Sequence, residues 1–251
     1  MTYGGRKVET KMSVSWPVLL TATIAPAPLP YLKMVDPEER WYQYQHALMF
    51  WLQRPKVQQI VFCDNSGYHA DFSPFYHWAE KHHKTLEVLS YAGNDHTLIK
   101  GRGFGEGELM RHALYTSQIL ARAPGFFKVT GRLIVENFDQ LEALTTHQPV
   151  VMSRRSLRRQ GWADTRFFKM DRSFYCQYLM DVHEKAERDD WILGEAYAQV
   201  LAPFRIPSFP RSLRIHGIAG NGATYDDKMW RYMLKSLCAQ AGLYRIRDNL
   251  S

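Results

Sequence analysis

The chain has 251 residues, with 32 Lys and Arg against 25 Asp and Glu, giving a formal charge of +7 at pH 7. That length fits one large domain whose core needs no staples, and no apolar run is long enough to lead us to expect a transmembrane helix or a signal peptide. The three cysteines, Cys63, Cys176 and Cys238, stand far apart in an odd number and lack zinc-ligand spacing, which argues against a secreted disulfide framework and leaves a cytoplasmic protein as the expectation.

In chain order the pattern alternates between strand and helix. Residues 1–14 carry no apolar periodicity and read as a flexible N-terminus. Residues 15–26, SWPVLLTATIAP, read as a buried first strand that runs into a proline-rich loop. Asp36-Pro37-Glu38-Glu39 is a helix start, with an N-cap acid followed by proline at the first helical position. The helix RWYQYQHALMFWLQ follows and ends before Pro55. QQIVFCDNSGY is a β-rich run closing in turn residues, residues 72–83 form a second helix, and TLEVLSYAG forms a third strand. KGRGFGEGEL, residues 100–109, then reads as a glycine-rich loop opening the helix MRHALYTSQIL. FFKVTGRLIV, residues 126–135, reads as one strand and PVVMS, residues 149–153, as a shorter one. Beyond Asp171 the pattern is helical until Pro203, Pro207 and Pro210; a glycine-rich loop and one last amphipathic helix close the chain.

This alternation predicts an α/β fold with a mostly parallel, Rossmann-like sheet flanked by helices and a helical C-terminal third. We expect one domain over residues 15–251, with a ligand-binding α/β part at 15–153 and a mainly helical part at 154–251. Ligands of open α/β sheets sit at the carboxyl ends of strands. That edge would gather Asp64, Asn65 and Ser66 from one strand, Lys100 and the glycines after another, and Lys128, Thr130, Gly131 and Arg132 from a third.

In the glycine segment, Gly101, Gly103, Gly105 and Gly107 alternate behind Lys100. Glycines let backbone amides approach a ligand, and a helix N-terminus offers free N–H groups, so this segment suits an anion such as a phosphate. Its spacing matches neither the dinucleotide fingerprint nor the P-loop, and a plain turn before a helix accounts for it equally well. The net positive charge fits phosphate-bearing ligands, an anionic lipid surface or nucleic acid. Four arginines fall within the six residues 154–159, yet no zinc finger, helix-turn-helix or RNP-like motif accompanies them, and such runs are commonly solvated surface.

The blocks CDNSGY, KGRGFGEGEL, FFKVTGRLIV, ADTRFF and HGIAGNGATYDD, in that order, resemble those of small bacterial glycosyltransferases that build surface polysaccharides of the capsule or O-antigen type. The resemblance spans residues 19–225. It departs from the family pattern at Asp64, where glutamate is usual, at Leu133, where tyrosine is, and at Ala219, where serine is. It implies a GT-A-like fold, a nucleotide-sugar donor and a saccharide acceptor. A lipid-linked acceptor would place the enzyme peripherally at the inner face of the membrane and suit the basic C-terminal third.

The chemistry of such a transfer sets the remaining expectations. A nucleoside diphosphate leaves with developing negative charge, which the protein must stabilise. No Asp-x-Asp metal motif occurs, and Glu187-x-Asp189-Asp190 reads as a solvated helix face. Neither metal nor cofactor is therefore expected, and Lys100, Lys128 and Arg132 are assigned the cation's work. Inverting transfer to a hydroxyl needs a general base. Glu106, Asp164, Asp171 and Glu195 are candidates. Glu106 could equally stabilise a helix dipole, and Asp164, favoured because it lies in a block of the resemblance, could equally be a turn or capping residue. Asp64, at the end of an early strand, is expected to hold the nucleoside. Gly217, Gly220, Asn221 and Tyr225 form a loop that either cradles a phosphate or simply turns the chain. A nucleic-acid-binding protein and a nucleotidyltransferase are the rival readings. The first would need residues 154–159 to form a flat basic stripe, and the second would need paired metal-binding carboxylates.

Overall fold

The computed structural model describes residues 15–29, 32–95, 97–153, 161–185, 192–219 and 222–226, together with Met233 and Leu237. The expected N-terminal arm, the arginine run at 154–159, the Glu187–Asp190 stretch and most of the last helix lie outside the described residues.

Six strands form the main sheet: β1 (Val18–Ala22), β2 (Gln59–Asp64), β3 (Thr85–Ser90), β4 (Gly125–Thr130), β6 (Val150–Met152) and β7 (Phe167–Asp171). Their order across the sheet is β3-β2-β1-β4-β7-β6. β1 to β4 are mutually parallel, β7 runs antiparallel to β4, and β6 runs antiparallel to β7. The sheet is thus the mostly parallel α/β sheet that the alternation predicts, with β7 reversed. β1 is buried along its whole length. Such a fully buried strand follows when helices cover both faces of a parallel sheet.

On one face pack α1 (Pro37–Leu52), α2 (Ser73–Lys81) and α5 (Phe138–Leu144), with Trp41, Tyr44, Leu48, Trp51, Phe75 and Phe138 filling that core. α3 (Thr97–Thr116), α4 (Gln118–Arg122), α6 (Arg172–Tyr178) and α7 (Leu193–Leu201) pack on the other, through Leu109, Met110, Leu114, Ile119, Tyr175 and Tyr197. The start of α1 follows the predicted capping: the Asp36 carboxylate accepts from Glu38 N at 2.9 Å, and proline opens the first turn.

Three sequence expectations need revision. The run 126–135 is two strands, because the chain turns at Gly131–Leu133 between β4 and β5 (Ile134–Val135). β5 joins β8 (Ile215–Ile218) and β9 (Thr224–Asp226) in a separate three-stranded sheet, so the C-terminal third supplies β7, β8 and β9 as well as helices. The glycine segment is not a loop. Gly101 alone leaves helical geometry, with φ 83° and ψ 170°, and kinks α3; Gly103, Gly105 and Gly107 lie within the helix.

Candidate functional site

The strand order reverses between β1 and β4. The chain goes from β1 to β2 to β3 with α1 and α2 on one face, then returns to β4 with α3 on the other. A crevice opens at such a reversal beyond the carboxyl ends of the strands. The expected polar residues gather at this edge. Asp64 ends β2, Thr130 ends β4 with Gly131 and Arg132 just after it, and the reversed β7 brings Asp164-Thr165-Arg166 to the same edge because it starts there.

Asp64 is 1% exposed and satisfied within the protein. Its carboxylate accepts from Ile24 N at 2.8 Å, Ser66 N at 3.1 Å and the Ser66 hydroxyl at 2.7 Å, so it ties the end of β1 to the end of β2. Burial pushes its carboxyl above the usual aspartate range, and these neutral donors offset that only in part. Asn65 continues the tie by accepting from the Thr23 hydroxyl at 2.7 Å, and the Ser66 hydroxyl accepts from Ala25 N at 3.1 Å. The side-chain oxygens of Asp64, Asn65 and Ser66 therefore hold the ends of β1 and β2 together at this edge.

The two cations of β4 part company. Lys128 is 1% exposed and points toward α3, where its ammonium pairs with Glu106 and donates to Thr130 Oγ1 at 3.2 Å and Thr165 O at 2.6 Å. Its charge is committed to the protein. Arg132 turns to the opposite face. It is 6% exposed, donates to Gln43 Oε1 at 3.0 Å and lies against Met34 Sδ, with its guanidinium 5.8 Å from the centre of the Tyr44 ring. Its Nε has no partner, and no carboxylate forms an ion pair with it among the described residues. Burial, with Arg40 nearby, depresses its pKa despite the help of Tyr44 and, more weakly, of Glu39. Arg40 itself is a structural clasp, donating to Thr23 O at 2.8 Å and 2.5 Å and to Met34 O at 3.0 Å. A buried guanidinium without a counter-charge is costly unless an anion completes it.

Gly131 earns its place by contact. Its N donates to Thr21 O at 2.8 Å, and a Cβ there would stand 2.8 Å from that same oxygen. Any larger residue would push β4 away from β1 where the crevice opens. The glycines of α3 serve packing too. A Cβ on Gly105 would lie 2.4 Å from Thr97 Oγ1, and one on Gly107 would lie 2.2 Å from His183 Cβ. Gly101 retains the positive φ for which only glycine is suited, while Gly103 is buried in the first turn after the kink. Lys100, just before the kink, rests its ammonium 4.5 Å from the centre of the Phe104 ring.

Of the candidate bases, Asp171 is an N-cap, accepting from Phe174 N at 2.8 Å, and Glu195 is exposed in the first turn of α7. Asp164 is 3% exposed and engaged on both oxygens. Arg166 Nε donates to Oδ1 at 2.8 Å, Nη2 donates to Oδ2 at 2.6 Å, and Arg166 N adds a third bond at 3.1 Å. Burial raises the Asp164 carboxyl, but the guanidinium outweighs it and holds the group below the usual range. A carboxylate so held is a poor proton acceptor. Glu106 is the remaining acid: it is partly exposed on α3 and paired with Lys128. Arg166, absent from the expected set, is the residue that sequence reasoning passes over; its signal was the D-x-R spacing in ADTRFF.

β8 and β9 form a hairpin beside this edge. Gly217 has φ 126°, and a Cβ there would stand 2.5 Å from Arg132 O, so the hairpin lies directly on the turn after β4. Opposite it, Tyr225 presents its ring 4.7 Å from the Arg166 guanidinium. Gly220 and Asn221 lie outside the described residues, as does the arginine run that would separate the nucleic-acid reading from a small-ligand one. Among the described residues no three His, Cys, Asp or Glu side chains converge as metal ligands, and no helix is long and apolar enough to cross a membrane.

A second depression, of about 720 Å³, lies at the opposite, amino edge of the strands, lined by Gln59, Tyr76, Thr85, Glu87 and Arg122. It contains none of the candidate residues, and the strand-end rule favours the carboxyl edge.

No protein-family model and no curated protein matches the chain. Among solved structures, a protein provisionally assigned as a nucleotide-diphospho-sugar transferase, from Desulfovibrio desulfuricans G20, is similar over 78% of each chain, with 13% identity and a TM-score of 0.45. A likeness at that level says nothing about activity.

Proposed function

We propose that the chain is a glycosyltransferase that takes a nucleotide-sugar donor at the carboxyl edge of its sheet and passes the sugar to a saccharide acceptor. The observation that carries this reading is Arg132, a buried guanidinium at the edge where the strand order reverses, which forms no ion pair with an acid among the described residues and feels Glu39 only at longer range. Such a group is suited to a ligand anion, and the departing diphosphate supplies one whose charge grows as the glycosidic bond breaks. Lys100, beside the Gly101 kink, is the second cation we assign to the donor phosphates. Lys128 we assign to positioning Glu106, the acid we propose as the base for the acceptor hydroxyl: the ammonium engages Oε1 alone and the side chain is 28% exposed, whereas Asp164 is buried and held on both oxygens. With cations in these roles the reaction would run without a divalent metal. A saccharide of a surface polysaccharide, free or lipid-linked, is the acceptor we propose, on the block resemblance alone.

A thermal-shift screen with UDP-, GDP-, CMP- and dTDP-sugars tests the donor class. One nucleotide family should raise the melting temperature in a concentration-dependent way. Transfer or donor hydrolysis measured with that donor should then persist in EDTA. No stabilisation by any of the four families would sink the reading, and activity lost in EDTA and restored by manganese would remove its metal-free form.

A further inference from the structure

We infer that Arg166 is a second anion-binding residue of this edge, and that Asp164 is its positioning residue. The inference rests on the donor-site reading above only for the identity of the anion. A guanidinium has five N–H donors in one plane. Asp164 takes two of them, through Nε at 2.8 Å and Nη2 at 2.6 Å. The N–H groups not taken by Asp164 are both of those on Nη1 and one on Nη2, and together they make a fork of the kind that matches a phosphate or carboxylate. The side chain is 31% exposed, whereas its aspartate is buried, so the pair has one closed end and one open end. Tyr225 lies with its ring 4.7 Å from the guanidinium, and its hydroxyl helps to keep the arginine charged. Backbone bonds fix its base as well, because Arg166 O accepts from Thr130 N at 2.9 Å, beside the Lys128 bond to Thr165 O. The arginine is thus held in one direction before any ligand arrives. A merely structural ion pair would not need its cation to keep an open fork at the strand ends.

This assignment changes what Asp164 does. Its carboxylate takes no proton from substrate; it aims Arg166 and keeps it charged. Tyr225 makes the hairpin part of the same site.

Calorimetric titration with inorganic pyrophosphate and with UDP, GDP, CDP and dTDP tests this on the whole chain. Losing a charge-assisted fork should weaken binding of pyrophosphate and of the preferred nucleotide by roughly 10- to 100-fold in Arg166→Ala. Arg166→Lys should recover part of that loss, and Tyr225→Leu should weaken binding less than Arg166→Ala. Because Arg166→Ala strands a buried carboxylate and could misfold, the double variant Asp164→Asn/Arg166→Gln removes both charges and should fold yet bind as weakly as the alanine variant. Wild-type affinity for both ligand types in the folded double variant would overturn the inference. Arg166-dependent binding of pyrophosphate, with no nucleotide bound more tightly, would support the anion site and overturn the nucleotide-donor reading. No binding of any of these ligands by the wild-type chain would overturn both.

Discussion

Asp64 and Asp164 stand at the same edge of the same sheet, both almost completely hidden from water, and their carboxyls shift in opposite directions. The difference lies in the donors. Asp64 receives only neutral ones, from Ile24 N, Ser66 N and the Ser66 hydroxyl, and burial prevails. Asp164 receives a guanidinium on both oxygens, and the charge prevails over burial. Counting hydrogen bonds would not separate them; the charge of the donor does. Lys128 and Arg132 repeat the contrast with cations, one completed by Glu106 and the other forming no ion pair with a carboxylate among the described residues. A completed charge holds the fold together, and an incomplete one points to a ligand.

The largest effect expected from this contrast is on Asp164. Asp164→Asn should cost folding free energy toward the lower end of the roughly 3–5 kcal/mol seen when one partner of a buried pair is removed, since Arg166 is partly exposed and stays solvated. Chemical denaturation at pH 7 measures it, and a loss under a few tenths of a kcal/mol would break the comparison. The pH dependence follows. The folded pKa of Asp164 lies below its unfolded value, so its stabilisation is complete above that unfolded value, near 3.9, and fades as pH falls through the folded value. Asp64 has the opposite sign. Its folded pKa is raised, so its contribution is complete below the unfolded value and fades as pH rises through the folded one. Acid titration of stability should flatten in Asp164→Asn and steepen in Asp64→Asn.

Next in size is Gly107→Ala. The new methyl meets a fully buried His183 that also pairs with Glu108, so overpacking should cost about 1–3 kcal/mol, less the small gain in helix propensity. A melting temperature unchanged or raised would restore the view of this segment as a phosphate loop. Asp64→Asn at pH 7 should cost less than Asp164→Asn, about 1–3 kcal/mol, because the amide supplies one acceptor where two oxygens accept now. An equal or larger loss, measured by the same denaturation, would mean that neutral donors hold a buried carboxylate as firmly as a guanidinium does.

Much of the fold was legible because it rests on periodicity and punctuation. The continuous apolar run at Val18–Ala22, the Asp36-Pro37 start of α1 and the spacing of β2 and β3 led to a mostly parallel sheet, and the strand-end rule led to its carboxyl edge. The glycines of α3 misled because alternation of glycine looks the same in a ligand loop and in a helix pressed against its neighbours; only Thr97 and His183, which are distant in sequence from some of them, tell the two apart. The turn within 126–135 was hidden by apolar residues on both sides of it. Partner identity was the least legible property. Lys128 and Arg132 share one short block, and nothing local says that one meets Glu106 while the other meets Gln43 and Tyr44. Asp164 was a candidate base because nothing local in ADTRFF says that Arg166, two residues on, folds back onto its carboxylate.

Arg132 gives the most direct test. In Arg132→Met the chain loses a buried charge and keeps an apolar side chain of similar reach, so folding should be unharmed or improved, in contrast to Arg40→Met, which strands the Thr23 and Met34 carbonyls. Nucleoside diphosphate affinity, titrated on the folded Arg132→Met variant beside the wild type, is the measurement. Undiminished stability with affinity lowered by roughly tenfold or more is the result expected when a fork to phosphate is lost. Wild-type affinity in a folded Arg132→Met would contradict the account, because the unpaired guanidinium would then have no part in holding the donor.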